Sequence, residues 1–206
     1  MSILYENEDK NRILSYYDSL LEEYGSNDPR SIGWASESTE QIRYAILSEI
    51  GDLNNHSILD VGCGFGNLYD FLKNKNLSFS YKGIDINPKI ISLAKEKHPN
   101  ISFETLDFGN YQNEKYDYIF CSGALSFKVP NYKQFYFEYI KKMFDYSNIG
   151  IAFNMLNDKN NTNPGDDKLF ATYSTKEIHD FCLTLTSKVT IREDYLPNDF
   201  TIYLYH

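Results

Sequence analysis

Cysteine is scarce in this sequence, which has three cysteines among 206 residues and no CxxC pair. An odd cysteine number does not favour a disulfide framework, and the lack of a CxxC pair argues against a zinc site. No apolar run approaches the roughly 20 residues that a membrane-spanning helix needs. We therefore expect a cytoplasmic protein with no metal and no membrane partner.

The sequence is also short of positive charge, with 20 Lys and Arg against 29 Asp and Glu and a formal net charge of −9. A negative global field repels phosphate backbones, so we expect no nucleic-acid partner. The length of 206 residues and the hydrophobic fraction of 42% favour one globular domain over residues 1–206. The sequence leaves open whether the protein is a monomer or a homodimer.

The N-terminal quarter of the chain has helical patterning. Apolar residues recur at helical spacing over residues 14–24, and Gly25 can end that helix. A second helix is predicted from a Ser38 cap to Ile50. We expect residues 1–51 to form a helical segment that covers the rest of the domain.

From residue 57 onward the pattern alternates between strand, turn and helix, which predicts an α/β core over 57–206. Alternating βα units favour a doubly wound, mostly parallel sheet. The last two strands alternate apolar and polar residues, which favours an antiparallel pair at an edge. A polar loop is predicted at 157–167. The predicted strands are 57–61, 81–86, 101–106, 116–121, 149–155, 188–193 and 200–205.

The strongest local signal is the segment DVGCGFG, which carries Gly62, Gly64 and Gly66 between a strand and a helix. Such a turn places a ligand at the carboxyl edge of a sheet. The next residue is Asn67, where a dinucleotide-binding turn needs Gly or Ala, so NAD and an oxidoreductase are the less favoured alternative. The carboxylate of Asp60 could receive a cationic amino-acid headgroup, or could pin the turn by accepting backbone N–H bonds.

Side chains at the ends of the next two strands suit a nucleoside. Asp85 follows the glycine turn by about 20 residues, where a carboxylate can accept both hydroxyls of a ribose. Asp107 ends the third strand and could accept a hydrogen bond from an adenine amino group. Phe108 or Ile86 could cover the face of the ring. The sequence therefore predicts an adenosine-containing ligand.

Four motifs in this order resemble those of the class I S-adenosylmethionine-dependent methyltransferases: DVGCGFG, GIDINP, LDF and YDYIFCSGAL. The resemblance extends from residue 57 to the C-terminus. It implies a Rossmann-like seven-stranded sheet whose last strand is antiparallel, with S-adenosylmethionine as cofactor and S-adenosylhomocysteine as product.

The N-terminal segment is similar to that of glycine N-methyltransferase-type enzymes, which present a Tyr, a Trp and an Arg before the glycine motif. Tyr24, Trp34 and Arg43 stand in that order here, with Tyr16 and Tyr17 as alternatives for the Tyr. The resemblance implies that Arg43 holds the carboxylate of the cofactor. The predicted cofactor-binding residues are Trp34, Arg43, Asp60, Gly62, Gly64, Gly66, Asp85, Ile86, Asp107, Phe108, Ser122 and Gly123.

The acceptor is expected to be a small molecule, such as a precursor of a natural product or a surface glycan. Methylation at oxygen or at nitrogen stays open, because the segment after the fourth motif shows no built-in base. Tyr17 is the candidate catalytic residue, as a group that orients the acceptor. A methyltransferase of a protein partner and a non-catalytic S-adenosylmethionine-binding module are the alternatives.

Overall fold

The computed structural model describes residues 5–112, 114–159 and 169–206. Most of the polar loop predicted at 157–167 lies outside the described residues. Six α-helices are described: α1 (Asn7–Tyr24), α2 (Glu37–Leu47), α3 (Asn67–Lys73), α4 (Pro88–Lys97), α5 (Tyr132–Tyr146) and α6 (Thr175–Leu183). Seven strands are described: β1 (His56–Val61), β2 (Phe79–Asp85), β3 (Ser102–Thr105), β4 (Tyr116–Cys121), β5 (Ser147–Leu156), β6 (Val189–Arg192) and β7 (Asp199–Tyr205).

The strands form a single sheet in the order β3-β2-β1-β4-β5-β7-β6. β1 to β5 pair in parallel, whereas β7 runs antiparallel to both β5 and β6. This arrangement confirms the predicted fold class, a doubly wound Rossmann-like seven-stranded sheet with its last strand antiparallel. The chain reverses its winding between β1 and β4, and ligands of such sheets bind at the carboxyl ends of the strands near this switch point.

Both faces of the sheet are covered, because successive strand residues point to opposite sides. On one face, Leu59 and Ile119 pack in a core that includes residues of α5 and α6. On the other face, Ile58 and Phe120 pack in a core that includes residues of α2, α3 and α4. The continuous apolar sequence of the central strands therefore reflects burial on both sides.

The predicted start of the second helix is wrong by two residues. Ser36, in extended conformation, is the N-cap of α2, and its hydroxyl accepts a hydrogen bond from the Thr39 N–H at 3.3 Å. Ser38 already lies within the first helical turn, so its hydroxyl cannot cap the helix. Gly25 ends α1 as predicted, with a φ of +75° and its N–H bonded to the Leu21 carbonyl.

Polar contacts fasten the two N-terminal helices near the carboxyl edge of the sheet. Asp18 of α1 accepts hydrogen bonds from the Asn87 amide at 2.9 Å and from Lys89 at 2.6 Å, both beyond the end of β2. Glu40 of α2 accepts a hydrogen bond at 2.9 Å from the Asn67 amide, at the start of α3. Asn67 is the polar residue that distinguishes this glycine turn from a dinucleotide-binding turn. It therefore connects the N-terminal cover to the core.

Candidate active site

A cavity of about 340 Å³ lies over the carboxyl ends of β1, β2, β4 and β5 and under α1 and α2. Its volume falls within the range of about 300–1,000 Å³ that is usual for small-molecule sites. The structure thereby brings together residues that are far apart in the sequence. The predicted site residues that line the cavity are Tyr17, Trp34, Arg43, Asp60, Gly62, Gly64, Asp85, Ile86, Phe108, Ser122 and Gly123.

The glycine turn after β1 is held by the backbone of β2. The N–H groups of Gly62 and Cys63 donate to the Ile84 carbonyl at 2.8 and 3.0 Å. Gly62 has a φ of +74°, and a Cβ added there would lie 2.5 Å from the Ala124 Cβ. The turn therefore needs glycine both for its backbone conformation and for the close approach of the segment after β4.

Gly66, predicted to bind the cofactor, is not among the lining residues. It has a φ of +80°, and a Cβ added there would lie 2.6 Å from the Phe103 Cζ of β3. Within the described structure, the glycine at this position is required by packing between the turn and β3.

Asp85 lies at the end of β2 and lines the cavity. Its carboxylate accepts hydrogen bonds from the Gly64 N–H at 3.2 Å and from the Asn87 N–H at 2.9 Å. Burial raises its pKa, and these backbone donors oppose that effect. Each oxygen keeps a second lone pair, so the carboxylate can still accept two hydroxyl groups.

Asp107 is buried behind the cavity wall and does not line the cavity, whereas its neighbours Leu106 and Phe108 do. One oxygen of Asp107 accepts hydrogen bonds from the Tyr139 hydroxyl at 2.7 Å and from the Gly109 N–H at 2.9 Å. These contacts fix the turn after β3, which presents Phe108 to the cavity.

Asp60 is 2% exposed, and its carboxylate accepts a hydrogen bond from the Tyr81 hydroxyl at 2.6 Å. Burial raises the pKa of Asp60 to about 7, with a further increase from the negative charge of Asp85. The alternative in which Asp60 pins the glycine turn through backbone N–H bonds is wrong, because Gly62 and the next residue bond to the β2 backbone instead. Asp60 is a buried acid at the cavity wall.

The Arg43 guanidinium lies 4.7 Å from the centre of the Trp34 ring and forms an ion pair with Asp199. The Trp34 ring covers the turn after β4, since a Cβ added at Gly123 would lie 2.6 Å from its Cη2. Asp199 lines the cavity but was missed by sequence reasoning. It belongs to none of the four motifs, and only the pairing of β7 with β5 brings it to this edge.

Asn154 of β5 fixes the segment that follows β4. Its amide donates to the Ser122 hydroxyl at 3.0 Å, and its carbonyl oxygen accepts from the Gly123 N–H at 2.8 Å. All three residues line the cavity. The neighbouring strands thus share a side-chain network at the floor of the site.

The far side of the cavity is aromatic. Tyr17 lines it from α1, and burial raises the pKa of its hydroxyl, with Tyr16 and Asp85 adding to the effect. Phe127 and Phe170 line the same side with ring centres 5.8 Å apart. Phe170 was missed because it follows the polar segment predicted at 157–167 and belongs to no motif.

Tyr24, the first choice for the N-terminal Tyr, is not part of the cavity wall. Its ring lies 4.3 Å from the guanidinium carbon of Arg30 near the end of α1. The alternative Tyr17 occupies the position that faces the site, because it lies two helical turns earlier on α1.

Within the described part of the chain, no group of three or more His, Cys, Asp or Glu side chains has the arrangement of a metal site. None of its helices combines the length and the apolar character that crossing a bilayer requires.

Residues 58–143 match the family described as "Methyltransferase domain". A putative methyltransferase of Mycobacterium tuberculosis is 26% identical over 151 residues, which cover 71% of this chain and 90% of the relative. A putative methyltransferase of Invertebrate iridescent virus 6 is 31% identical over 98 residues, or 47% of this chain. The trans-aconitate 2-methyltransferase of Escherichia coli O1:K1 / APEC is 31% identical over 91 residues, or 44% of this chain. The chain spans only 36% of the length of each of the last two relatives.

Solved structures agree with the fold. Magnesium protoporphyrin IX methyltransferase from Synechocystis PCC 6803, with bound S-adenosylhomocysteine, superposes with a TM-score of 0.68 and 16% identity and covers 96% of this chain and 99% of that one. The plantazolicin methyltransferase BpumL gives a TM-score of 0.60 and 15% identity, with 97% of this chain and 91% of that one covered. At these identities the likeness concerns the fold.

The sheet order, the glycine turn and the acidic residue at the end of β2 define a Rossmann-like methyltransferase fold with its ligand cavity at the switch point. Together with the methyltransferase domain matched over residues 58–143 and the methyltransferase relatives, they confirm the resemblance predicted from the four motifs. In fold, the chain is similar to class I S-adenosylmethionine-dependent methyltransferases.

Proposed function

We propose that this protein, acting as a single domain, transfers a methyl group from S-adenosylmethionine to a small-molecule acceptor. The observation that carries the proposal is the convergence of the N-terminal residues and the strand-end residues on one covered cavity. Trp34 and Arg43 come from the cover, whereas Asp60 and Asp85 come from adjacent strands. A site of this kind can enclose a small acceptor and exclude water.

The lining residues fit the two ends of the cofactor. Asp85 would accept the ribose hydroxyls, while Ile86 and Phe108 would cover the adenine ring. At the other end, the Asp60 carboxylate would meet the ammonium group and the Arg43 guanidinium would meet the carboxylate. When bound, S-adenosylmethionine supplies a methyl group already activated by its sulfonium sulfur. The protein mainly has to align the acceptor and exclude water.

The aromatic side of the cavity supports an apolar or ring-bearing acceptor. Phe127 and Phe170 offer apolar ring surfaces, and Tyr17 adds a hydroxyl at the same side. A tyrosine hydroxyl is neutral at physiological pH, and the raised pKa of Tyr17 keeps it so. The hydroxyl can therefore donate a hydrogen bond to the acceptor. We propose that Tyr17 orients the acceptor toward the floor formed by Ser122 and Gly123.

The direct test is incubation of the purified protein with methyl-labelled S-adenosylmethionine and a size-fractionated cell extract. Label in low-mass products is the expected result. Label in a protein band would instead favour a protein acceptor. Cofactor binding by calorimetry with no label in any fraction would favour a non-catalytic binding module.

The Tyr17→Phe variant is expected to bind S-adenosylhomocysteine within about twofold of the wild type and to lower kcat/KM for the acceptor about 3- to 10-fold. This range corresponds to about 0.7–1.4 kcal/mol, which is the usual contribution of one neutral hydrogen bond. Tyr16→Phe is the matched control, because the neighbouring Tyr16 does not line the cavity. The centre of its ring lies 5.6 Å from the centre of the Phe170 ring. Equal effects of the two variants on kcat/KM would remove Tyr17 from the acceptor site.

Cofactor binding is expected to depend on pH through Asp60. In the free protein this carboxyl is about half protonated near pH 7, because burial raises its pKa to about 7. A bound ammonium group favours the ionised form, so binding lowers the pKa and releases a proton. Affinity for S-adenosylhomocysteine should therefore fall about tenfold between pH 8 and pH 6.

Calorimetry in two buffers with different ionisation enthalpies measures this proton release directly. The Asp60→Asn side chain cannot titrate, so the proton release attributable to Asp60 should vanish. The affinity of this variant for S-adenosylhomocysteine should be nearly independent of pH between pH 6 and pH 8. The same pH dependence in wild type and variant would show that another group is responsible.

A further inference from the structure

The Arg43–Asp199 ion pair joins the N-terminal cover to the sheet inside the cavity. Arg43 belongs to α2, and Asp199 is the first residue of β7, opposite Leu156 at the end of β5. The side chains are nearly inaccessible, with exposures of 12% for Arg43 and 2% for Asp199. Both residues line the cavity.

The contacts of the guanidinium restrict its orientation. Its Nη1 donates to the Thr39 carbonyl at 3.1 Å, its Nη2 pairs with Asp199, and one face lies against Trp34. A guanidinium has five N–H donors in a rigid fork, so donors remain for a ligand after these contacts are made. A buried arginine without a partner carries a large desolvation cost, which Asp199 offsets.

We propose that Asp199 is a positioning residue for cofactor binding: it holds the Arg43 guanidinium in place so that its remaining donors can bind the carboxylate at the amino-acid end of S-adenosylmethionine. This inference rests on the proposed function. Asp199 acts through Arg43, and it need not touch the cofactor itself. Without it, the long arginine side chain would regain several rotamers, and binding would carry the entropy cost of ordering it.

Two ligands separate this role from a general effect on the cavity. S-Adenosylhomocysteine contains the amino-acid end, whereas 5′-methylthioadenosine has the same nucleoside and a thioether but no carboxylate. We expect Asp199→Ala to weaken S-adenosylhomocysteine binding at least tenfold and to leave methylthioadenosine binding within twofold. Asp199→Asn keeps an oxygen that can accept a hydrogen bond from arginine. Its affinity for S-adenosylhomocysteine should therefore fall by no more than about threefold.

A double-mutant cycle tests whether Asp199 acts through Arg43. The Arg43→Ala and Asp199→Ala double variant should bind S-adenosylhomocysteine no more weakly than Arg43→Ala alone. Glu49→Ala is the matched control, because it removes an ion pair with Arg192 that also joins the end of the cover to the sheet, but outside the cavity. The Glu49→Ala variant should bind S-adenosylhomocysteine with the affinity of the wild type. Thermal unfolding of each variant confirms that the compared proteins are folded.

Each alternative outcome has a distinct meaning. Tighter S-adenosylhomocysteine binding by Asp199→Ala would show that Asp199 competes with the ligand carboxylate, and would overturn the proposal. Equal weakening of both ligands, or additive effects in the cycle, would overturn it as well. If the wild type binds neither ligand, the proposed function itself fails, whereas wild-type binding with no effect of Asp199→Ala defeats only this inference.

Discussion

Gly62→Ala is expected to lower the free energy of unfolding by about 2–4 kcal/mol and to reduce cofactor binding sharply. Gly62 has a φ of +74°, which costs a residue with a Cβ about 1–2 kcal/mol. The added methyl would also lie 2.5 Å from the Ala124 Cβ, so the glycine turn and the segment after β4 must separate. Both segments line the cavity, and their separation would displace the binding groups.

Gly25→Ala is the control for the backbone conformation alone. Gly25 has a φ of +75°, but a Cβ added there meets no atom within 4 Å. It lies at the end of α1, and it does not line the cavity. Chemical denaturation and calorimetry with S-adenosylhomocysteine should show some loss of stability and normal binding for Gly25→Ala, and losses in both for Gly62→Ala. Equal losses of stability with intact binding in both variants would contradict the close-approach argument.

Asp85→Ala is expected to weaken S-adenosylhomocysteine binding by about 2–3 kcal/mol, which is roughly 30- to 150-fold. The variant loses a charged acceptor for the ribose hydroxyls in a site shielded from water. It also leaves the Gly64 N–H without its carboxylate partner, which loosens the glycine turn. Calorimetric titration at a fixed pH measures the effect.

Asp117→Ala is the matched control for the loss of a structural carboxylate. Asp117 accepts hydrogen bonds from the N–H and the hydroxyl of Ser57, at 2.9 and 3.0 Å. It lies near the start of β4, at the opposite end of the strands from the cavity. Asp117→Ala should therefore lose stability but keep its affinity. A folded Asp85→Ala protein that binds within threefold of the wild type would exclude Asp85 from the ribose site.

The sequence was sufficient to predict the core of the fold. The central strand β4 was predicted at residues 116–121, which are the observed bounds. Buried strands form continuous apolar runs, and this signal does not depend on distant residues. The helix start at Ser36 was missed because Ser38 is a competing hydroxyl two residues away, and only the backbone conformation distinguishes them.

The position of several cavity-lining residues was predictable for a related reason. Asp60, Gly62 and Asp85 lie at or directly after the ends of parallel strands, and the carboxyl ends of such strands meet at one edge. Their place in the sheet is therefore encoded in short segments. By contrast, Gly66 and Asp107 have the residue types that their motifs require, yet both lie behind the cavity. Gly66 packs against Phe103, and the Asp107 carboxylate accepts a hydrogen bond from Tyr139.

The strands, the glycine turn and the acidic residues at the strand ends could be predicted from the sequence, since each depends on local patterning. Three features depend on tertiary packing: which tyrosine of α1 faces the cavity, the return of Phe170 to the cavity wall, and the pairing of Asp199 with Arg43. The last contact joins residues 156 positions apart through the antiparallel pairing of β7 with β5. No local pattern specifies such a contact, because it forms only when the cover and the last strand pack at the same edge.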